Sequence, residues 1–278
     1  MKKRVITFFI LAAVLIPVVF FCKTPVMPIF FSMAAALGVY EAHKCVGTEK
    51  FRPLMVFSMI DAAFLPILIR FIDPFTGRDI FTGTALASSV LLILIYIAYS
   101  MFSDGKLKLS DSLEACSVSI YAAFGFAFLV KLCDSGSAGQ WLFYSVFITA
   151  WVSDTAAFVF GKLFGKHKLA PKISPKKTWE GAVGGIICNV LFFVAYGLLL
   201  NRFEKATVNI IVLIPVAVAA SVVSMIGDLV MSHLKREHGI KDFSNLFPGH
   251  GGILDRFDSV IACSVVIMLL ESFMDIIV

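Results

Sequence analysis

Five acidic residues near the ends of apolar segments are the first candidates for chemistry: Asp154, Glu180, Asp228, Asp255 and Asp258. Ionisable groups in membrane-length apolar segments are costly to place, so each is a functional candidate by default. Asp255 and Asp258 stand three apart and share one helical face, while Asp228 and Ser232 stand four apart on another. Carboxylate clusters suit a hard cation such as magnesium, which typically binds through one or two carboxylates plus substrate phosphates. Taken singly, Glu180, Asp255 and Asp258 could equally be solvated or complement helix N-termini. The metal reading rests on their occurring together.

Two basic segments adjoin these acids. The first, Ser174-Pro175-Lys176-Lys177-Thr178-Trp179-Glu180-Gly181, sets cations beside the start of an apolar helix, an arrangement that favours phosphate. Further upstream, Lys162, Lys166 and Lys168 read more simply as topology signals, and Gly181 with Gly185 as close helix packing. The second segment carries Ser232, Lys235, Arg236, Lys241 and Asp242, then Phe247-Pro248-Gly249-His250-Gly251-Gly252, and ends on Asp255, Arg256 and Asp258. Gly249, Gly251 and Gly252 permit a tight turn whose backbone can approach phosphate oxygens. Potential phosphate binders and metal ligands are thus adjacent in the chain.

Positioning these groups falls to an unusually apolar chain. Of 278 residues, 59% are hydrophobic and 15% charged, and the mean hydropathy is +0.91. That excess cannot be hidden in a water-soluble core, so the expectation is an all-α, polytopic integral membrane protein. Segments of about 20 apolar residues suffice to cross a bilayer. Nine are expected, at roughly 5–22, 26–42, 53–72, 81–102, 115–133, 140–160, 179–200, 208–230 and 257–277. The basic N-terminus followed by the first segment reads as an uncleaved span rather than a secretory signal, since no small-residue cleavage site follows.

Lys and Arg concentrate in alternate loops. With the N-terminus inside, only Lys23, Arg70, Arg78, Lys131, Arg202 and Lys205 fall outside, which places the N-terminus in the cytoplasm and the C-terminus across the membrane. The loops at 161–178 and 231–256 are then cytoplasmic, and all five acids lie at that face. This suggests an N-terminal scaffold bundle, 1–139, and a C-terminal catalytic region, 140–278. The net charge of +5 fits cytoplasmic loops and anionic lipid rather than nucleic acid. Six scattered cysteines make no C-x-x-C pair and read as small core residues. Asp61, in the middle of the third segment, either pairs within the bundle or lines a polar cavity. His43, His167, His233 and His238 show no metal-like spacing and read as loop residues.

The run S-x-L-K-R-x-x-x-x-K-D-x-S-x-x-F-P-x-H-G-G-I-x-D-R-F-D from Ser232 to Asp258 resembles the signature of the phosphatidate cytidylyltransferases, or CDP-diacylglycerol synthases. The S-P-K-K-T-W-E-G block and the Asp154 segment followed by Gly161 and Phe164-Gly165 are similar to that family too. The resemblance implies an enzyme of phospholipid biosynthesis that makes CDP-diacylglycerol and pyrophosphate from CTP and phosphatidate. It further implies magnesium dependence, a second cation (magnesium or potassium) and a homodimer surrounded by membrane lipids, while the Lys and Arg distribution separately gives a bacterial-type inner membrane with the site facing the cytoplasm.

Carried over by motif position, Asp228 and Asp255 would be the paired metal ligands, with Asp258 or Asp154 helping to hold a second cation. Lys235, Arg236, Lys241 and Arg256 would share phosphate charge. Ser174, Lys176, Lys177, Glu180, Ser232, Asp242, His250, Gly251 and Gly252 would contact substrate. A lipid phosphate is already ionised near neutral pH, so no general base is required and His250 reads as a positioning donor. The competing readings are a CTP-dependent enzyme for another lipid phosphate or polyprenol, and a cation-coupled transporter. Against transport, the acids gather at one face and the chain shows no repeated halves.

Overall fold

The computed structural model describes residues 13–77, 79–203, 205–274 and 276–277. The expected first span and its basic leader therefore lie largely outside the described residues, as does Arg78. Among the described residues, nine α-helices follow residue 25: α1 Val26–Val46, α2 Arg52–Ile67, α3 Asp73–Thr76, α4 Ile80–Met101, α5 Leu109–Asp134, α6 Gly139–Phe164, α7 Trp179–Arg202, α8 Ile210–Glu237 and α9 Leu254–Glu271. One antiparallel hairpin, β1 Lys168–Ala170 and β2 Ser174–Thr178, joins α6 to α7. The all-α expectation holds, with this hairpin as an unforeseen addition inside the loop 161–178.

Among the described residues, seven helical stretches are long and apolar enough to cross a membrane: 26–46, 52–76, 80–101, 109–134, 139–164, 179–202 and 210–237. The expected count of nine is not reached. The first span falls outside, and α9 is an 18-residue helix carrying Asp255, Arg256, Asp258 and Glu271. The expected 53–72 span is a helix with an internal adjustment. Pro66 cannot donate its backbone hydrogen bond, and a π-turn at Leu68–Ile72 follows it and runs on into α3.

The chain forms two compact units, residues 1–131 with 238–256, and residues 132–237 with 257–278. This differs from a division at residue 139 chiefly in the second polar loop, which belongs with the N-terminal helices. In the first unit, Val46, Leu54, Leu92, Tyr96, Leu107, Ala115 and Cys116 form a buried apolar cluster. A polar chain crosses it: His43 Nδ1 meets Thr48 Oγ1 at 2.9 Å, His43 Nε2 meets Tyr96 Oη at 2.7 Å, and Tyr96 Oη meets Ser58 Oγ at 2.6 Å. His43 is thus a buried residue in the last turn of α1 rather than a loop residue, satisfied as buried polar groups must be. Asp61 has the Ser88 hydroxyl of α4 as a polar neighbour within the bundle.

In the second unit the most extensive packing joins α6 and α7. A Cβ on Gly181 would lie 2.5 Å from the Ala157 carbonyl oxygen, and one on Gly184 2.5 Å from Phe160 Cγ. The glycines of α7 therefore serve close helix approach, as their spacing suggested. We expect Gly184→Ala to force the two helices apart, at a cost of about 1–3 kcal/mol. A lower melting temperature of the detergent-solubilised protein is the check, and an unchanged one would refute the packing role. On the outer faces, Leu86, Val90 and Leu94 of α4, and Val183, Ile187 and Leu191 of α7, are exposed at four-residue intervals. Such apolar stripes suit contact with lipid, and the chain is an integral membrane protein. None of the six cysteines is in a disulfide, and all but the half-buried Cys188 are buried.

Candidate active site

In the second unit, helices α6, α8 and α9 each contribute one carboxylate to a common cluster. Asp228 lies in the third turn from the end of α8, where the i, i+4 spacing is realised as a hydrogen bond from Ser232 Oγ to Asp228 Oδ1 at 3.2 Å. Its other oxygen, Oδ2, is 2.6 Å from Lys177 Nζ at the end of β2. Ser259 ties the other two acids together: its Oγ donates to Asp154 Oδ2 at 3.0 Å, and its N–H donates to Asp258 Oδ1 at 2.8 Å. Asp154 is within electrostatic reach of Asp228 and Lys177, and Asp258 of Asp228, Asp154 and Lys235. Lys235 is only 7% exposed, so its charge acts at short range in a water-poor setting.

The hairpin that delivers Lys177 is built from local polar contacts. Thr178 caps α7, its Oγ1 accepting the Gly181 N–H at 3.2 Å, and Trp179 N–H donates to the His167 carbonyl at 3.0 Å. The Glu180 carboxylate, expected to contact substrate, closes the hairpin in this structure. Oε1 lies 2.7 Å from His167 Nδ1, and the His167 N–H donates to the same carboxylate. Ser174 opens β2, and Lys176 and Arg236 are exposed.

The first unit holds the remaining signature residues. Phe247 N–H donates to the Gly251 carbonyl at 2.9 Å and His250 N–H to the Phe247 carbonyl at 2.8 Å, a turn that places Gly249 and Gly251 at φ of 81° and 82°. That left-handed backbone explains those two glycines without a ligand. Asp255 is 7% exposed, and its Oδ2 accepts from Phe243 N–H at 2.8 Å and Gly252 N–H at 2.9 Å. The next two N–H groups, of Ile253 and Leu254, donate to Glu41 at 3.0 and 2.9 Å. In this structure the N–H groups of His250, Gly252, Ile253 and Leu254 donate within the protein. Lys241, Asp242 and Arg256 are exposed, and His250 Nδ1 is buried with no hydrogen-bond partner.

Among the other histidines, His233 lies exposed within α8, and His238 pairs with Glu114 at 2.9 Å. Among the described residues, no three His, Cys, Asp or Glu side chains form a ready-made metal cage. Sequence reasoning missed Ser259, Glu41 and Ser244. Ser259 directly follows a singled-out acid, and Glu41 sits in an apolar segment, so the cost of intramembrane charge would have flagged it.

A charged cluster fed by lysine-bearing loops, at the ends of apolar helices, is a setting for anionic lipid or nucleotide chemistry. Comparison with known proteins narrows this. The chain is 33% identical over 266 residues to a protein named phosphatidate cytidylyltransferase from Staphylococcus haemolyticus, covering 93% of this chain and 94% of that one. It is 34% identical to the protein of that name from Staphylococcus saprophyticus, with the same coverages. A segment of 175 residues, 63% of the chain and 64% of the relative, is 38% identical to the one from Staphylococcus aureus strain COL. The profile of the cytidylyltransferase family matches residues 2–274, and the chain belongs to that family.

Proposed function

We propose that this protein transfers the cytidylyl group of CTP to phosphatidate, giving CDP-diacylglycerol and pyrophosphate. A phosphatidate oxygen attacks the α-phosphorus of CTP; the new P–O bond forms as the bond to the β-phosphate oxygen breaks, and pyrophosphate leaves with that electron pair. Both reactants are anions, so their repulsion is the main obstacle and charge compensation the main task. The observation that carries this reading is the cluster of Asp154, Asp228 and Asp258 with Lys177 and Lys235.

The donor set fits magnesium. It is all oxygen, and Lys177 Nζ beside Asp228 shows that this carboxylate takes a cationic neighbour. A cage of three protein ligands is not needed, because the ion arrives with phosphates that complete its shell. Asp228, with Asp258 and Asp154, would hold it, and a second cation would draw on the same carboxylates. When bound, the ion neutralises triphosphate charge. The protein's own work is to orient. Ser232 and Ser259 fix the carboxylates, the hairpin presents Lys177, and Lys235, Arg236, Lys241 and Arg256 distribute phosphate charge. His250, with its unpartnered Nδ1, fits a donor to phosphate.

The retention of Lys and Arg in alternate loops supports a cytoplasm-facing site in a bacterial inner membrane. The family resemblance supports a homodimer. Purified protein in detergent, given labelled CTP and phosphatidate, should form labelled CDP-lipid only when magnesium is present. Product from another lipid phosphate but not from phosphatidate would overturn the substrate assignment, and equal product in chelator would overturn the metal.

A further inference from the structure

We infer that Glu41, on a helix expected to be scaffold, is a positioning residue that clamps the signature loop into its working shape. Glu41 lies in α1 and is only 2% exposed. Its Oε1 accepts Ser244 Oγ–H at 2.6 Å and Ile253 N–H at 3.0 Å, and its Oε2 accepts Leu254 N–H at 2.9 Å. One carboxylate therefore ties the start of the loop to its end, across 203 to 213 residues of sequence.

The local chemistry explains the choice of residue. Leu254 opens α9, and the first N–H groups of a helix have no partner inside it. An anion there is favoured by the helix dipole. With Asp255 taking the Gly252 N–H, three successive backbone donors end on carboxylate oxygens. The carboxylate of Glu41 fills the space beside Gly252, where a Cβ would collide with both of its oxygens. Gly252 thus makes room for Glu41 rather than for a phosphate.

A buried carboxylate is a poor source of stability, because desolvation offsets much of what its partners return. What it supplies is one defined loop geometry. His250 rides on the clamped segment, Lys241 and Asp242 lead into it, and Asp255 and Arg256 follow Leu254 directly. Displacing such groups by about 1 Å costs on the order of 10²-fold in rate.

The activity part of this inference rests on cytidylyl transfer being the reaction; the clamp itself does not. Glu41→Gln keeps the size but turns an amide donor toward N–H groups, Glu41→Asp keeps the charge but falls short, and Ser244→Ala removes one donor. Each variant and the wild type would be followed by hydrogen–deuterium exchange and by steady-state kinetics in detergent. In Glu41→Gln, exchange should accelerate in peptides covering 243–256 and stay unchanged elsewhere, and kcat should fall roughly 10- to 100-fold. Glu41→Asp should recover part of that loss, and Ser244→Ala should show the same local loosening to a smaller degree.

Wild-type exchange at 243–256 in Glu41→Gln would overturn the clamp. Normal kcat, or acceleration spread evenly over all helices, would overturn the positioning role. Were Glu41→Gln to fail to fold, Ser244→Ala decides by the same two readouts. Wild-type protein inactive with CTP and phosphatidate would sink the assigned reaction, while the exchange data would still decide the clamp.

Discussion

Asp228→Asn should abolish turnover, by about 10²- to 10³-fold or more, while leaving the protein folded in the membrane. The substitution is isosteric, and the amide oxygen can still accept from Ser232 Oγ, so α8 keeps its local bond. The contact with Lys177 Nζ, now 2.6 Å, loses its charge complement, yet both side chains are part-exposed and the loss of stability should be small. What disappears is the charge of one of three carboxylates proposed to hold a cation, beside two lysines that repel it. The signature to seek is therefore a turnover deficit that shrinks as magnesium is raised, with an unchanged melting temperature. Near-normal turnover at low magnesium would remove Asp228 from the metal site.

Why that site was legible in sequence, and the Glu41 clamp was not, comes down to what one-dimensional patterns encode. Asp154, Asp228 and Asp258 announce themselves because acids are scarce in apolar stretches. Their common depth follows from span ends alone. Hydropathy reported the spans well at 26–46 and 179–202, but it measures hydrocarbon thickness rather than helix length. The stretch expected at 115–133 runs from Leu109 to Asp134, and that expected at 208–230 runs from Ile210 to Glu237, past their last apolar residues.

The hairpin was invisible for a different reason. Its strands are short, rich in lysine and without apolar alternation, and they are fixed by the His167–Glu180 contact and the Thr178 cap rather than by burial. Glu41 lay inside an expected span and met the same criterion as the other acids. Its partners could not be read, because no local spacing reports a bond across 203 residues. The two glycines at 251 and 252 show the resulting ambiguity. A glycine pair before a helix suggests an anion cradle, and here the anions are the protein's own carboxylates.

Asp255→Ala should fail in a way that Asp228→Asn does not, by losing stability and turnover together. The Asp255 carboxylate is buried, and its Oδ2 is the acceptor for both Phe243 N–H and Gly252 N–H. Removing it strands two backbone donors in a setting without ready water, at a cost of about 1–3 kcal/mol each. The loop loses the bond closing Phe243 onto the start of α9, and with it the placement of Lys241, Asp242 and His250. A melting temperature several degrees lower and turnover reduced at least about 10²-fold are expected, with no recovery at high magnesium. Asp255→Asn separates the two roles. Its amide oxygen can accept both N–H groups, so the melting temperature should largely return, whereas turnover should stay low if the charge itself serves the reaction. Recovery of turnover along with stability would make Asp255 a loop-closing residue alone.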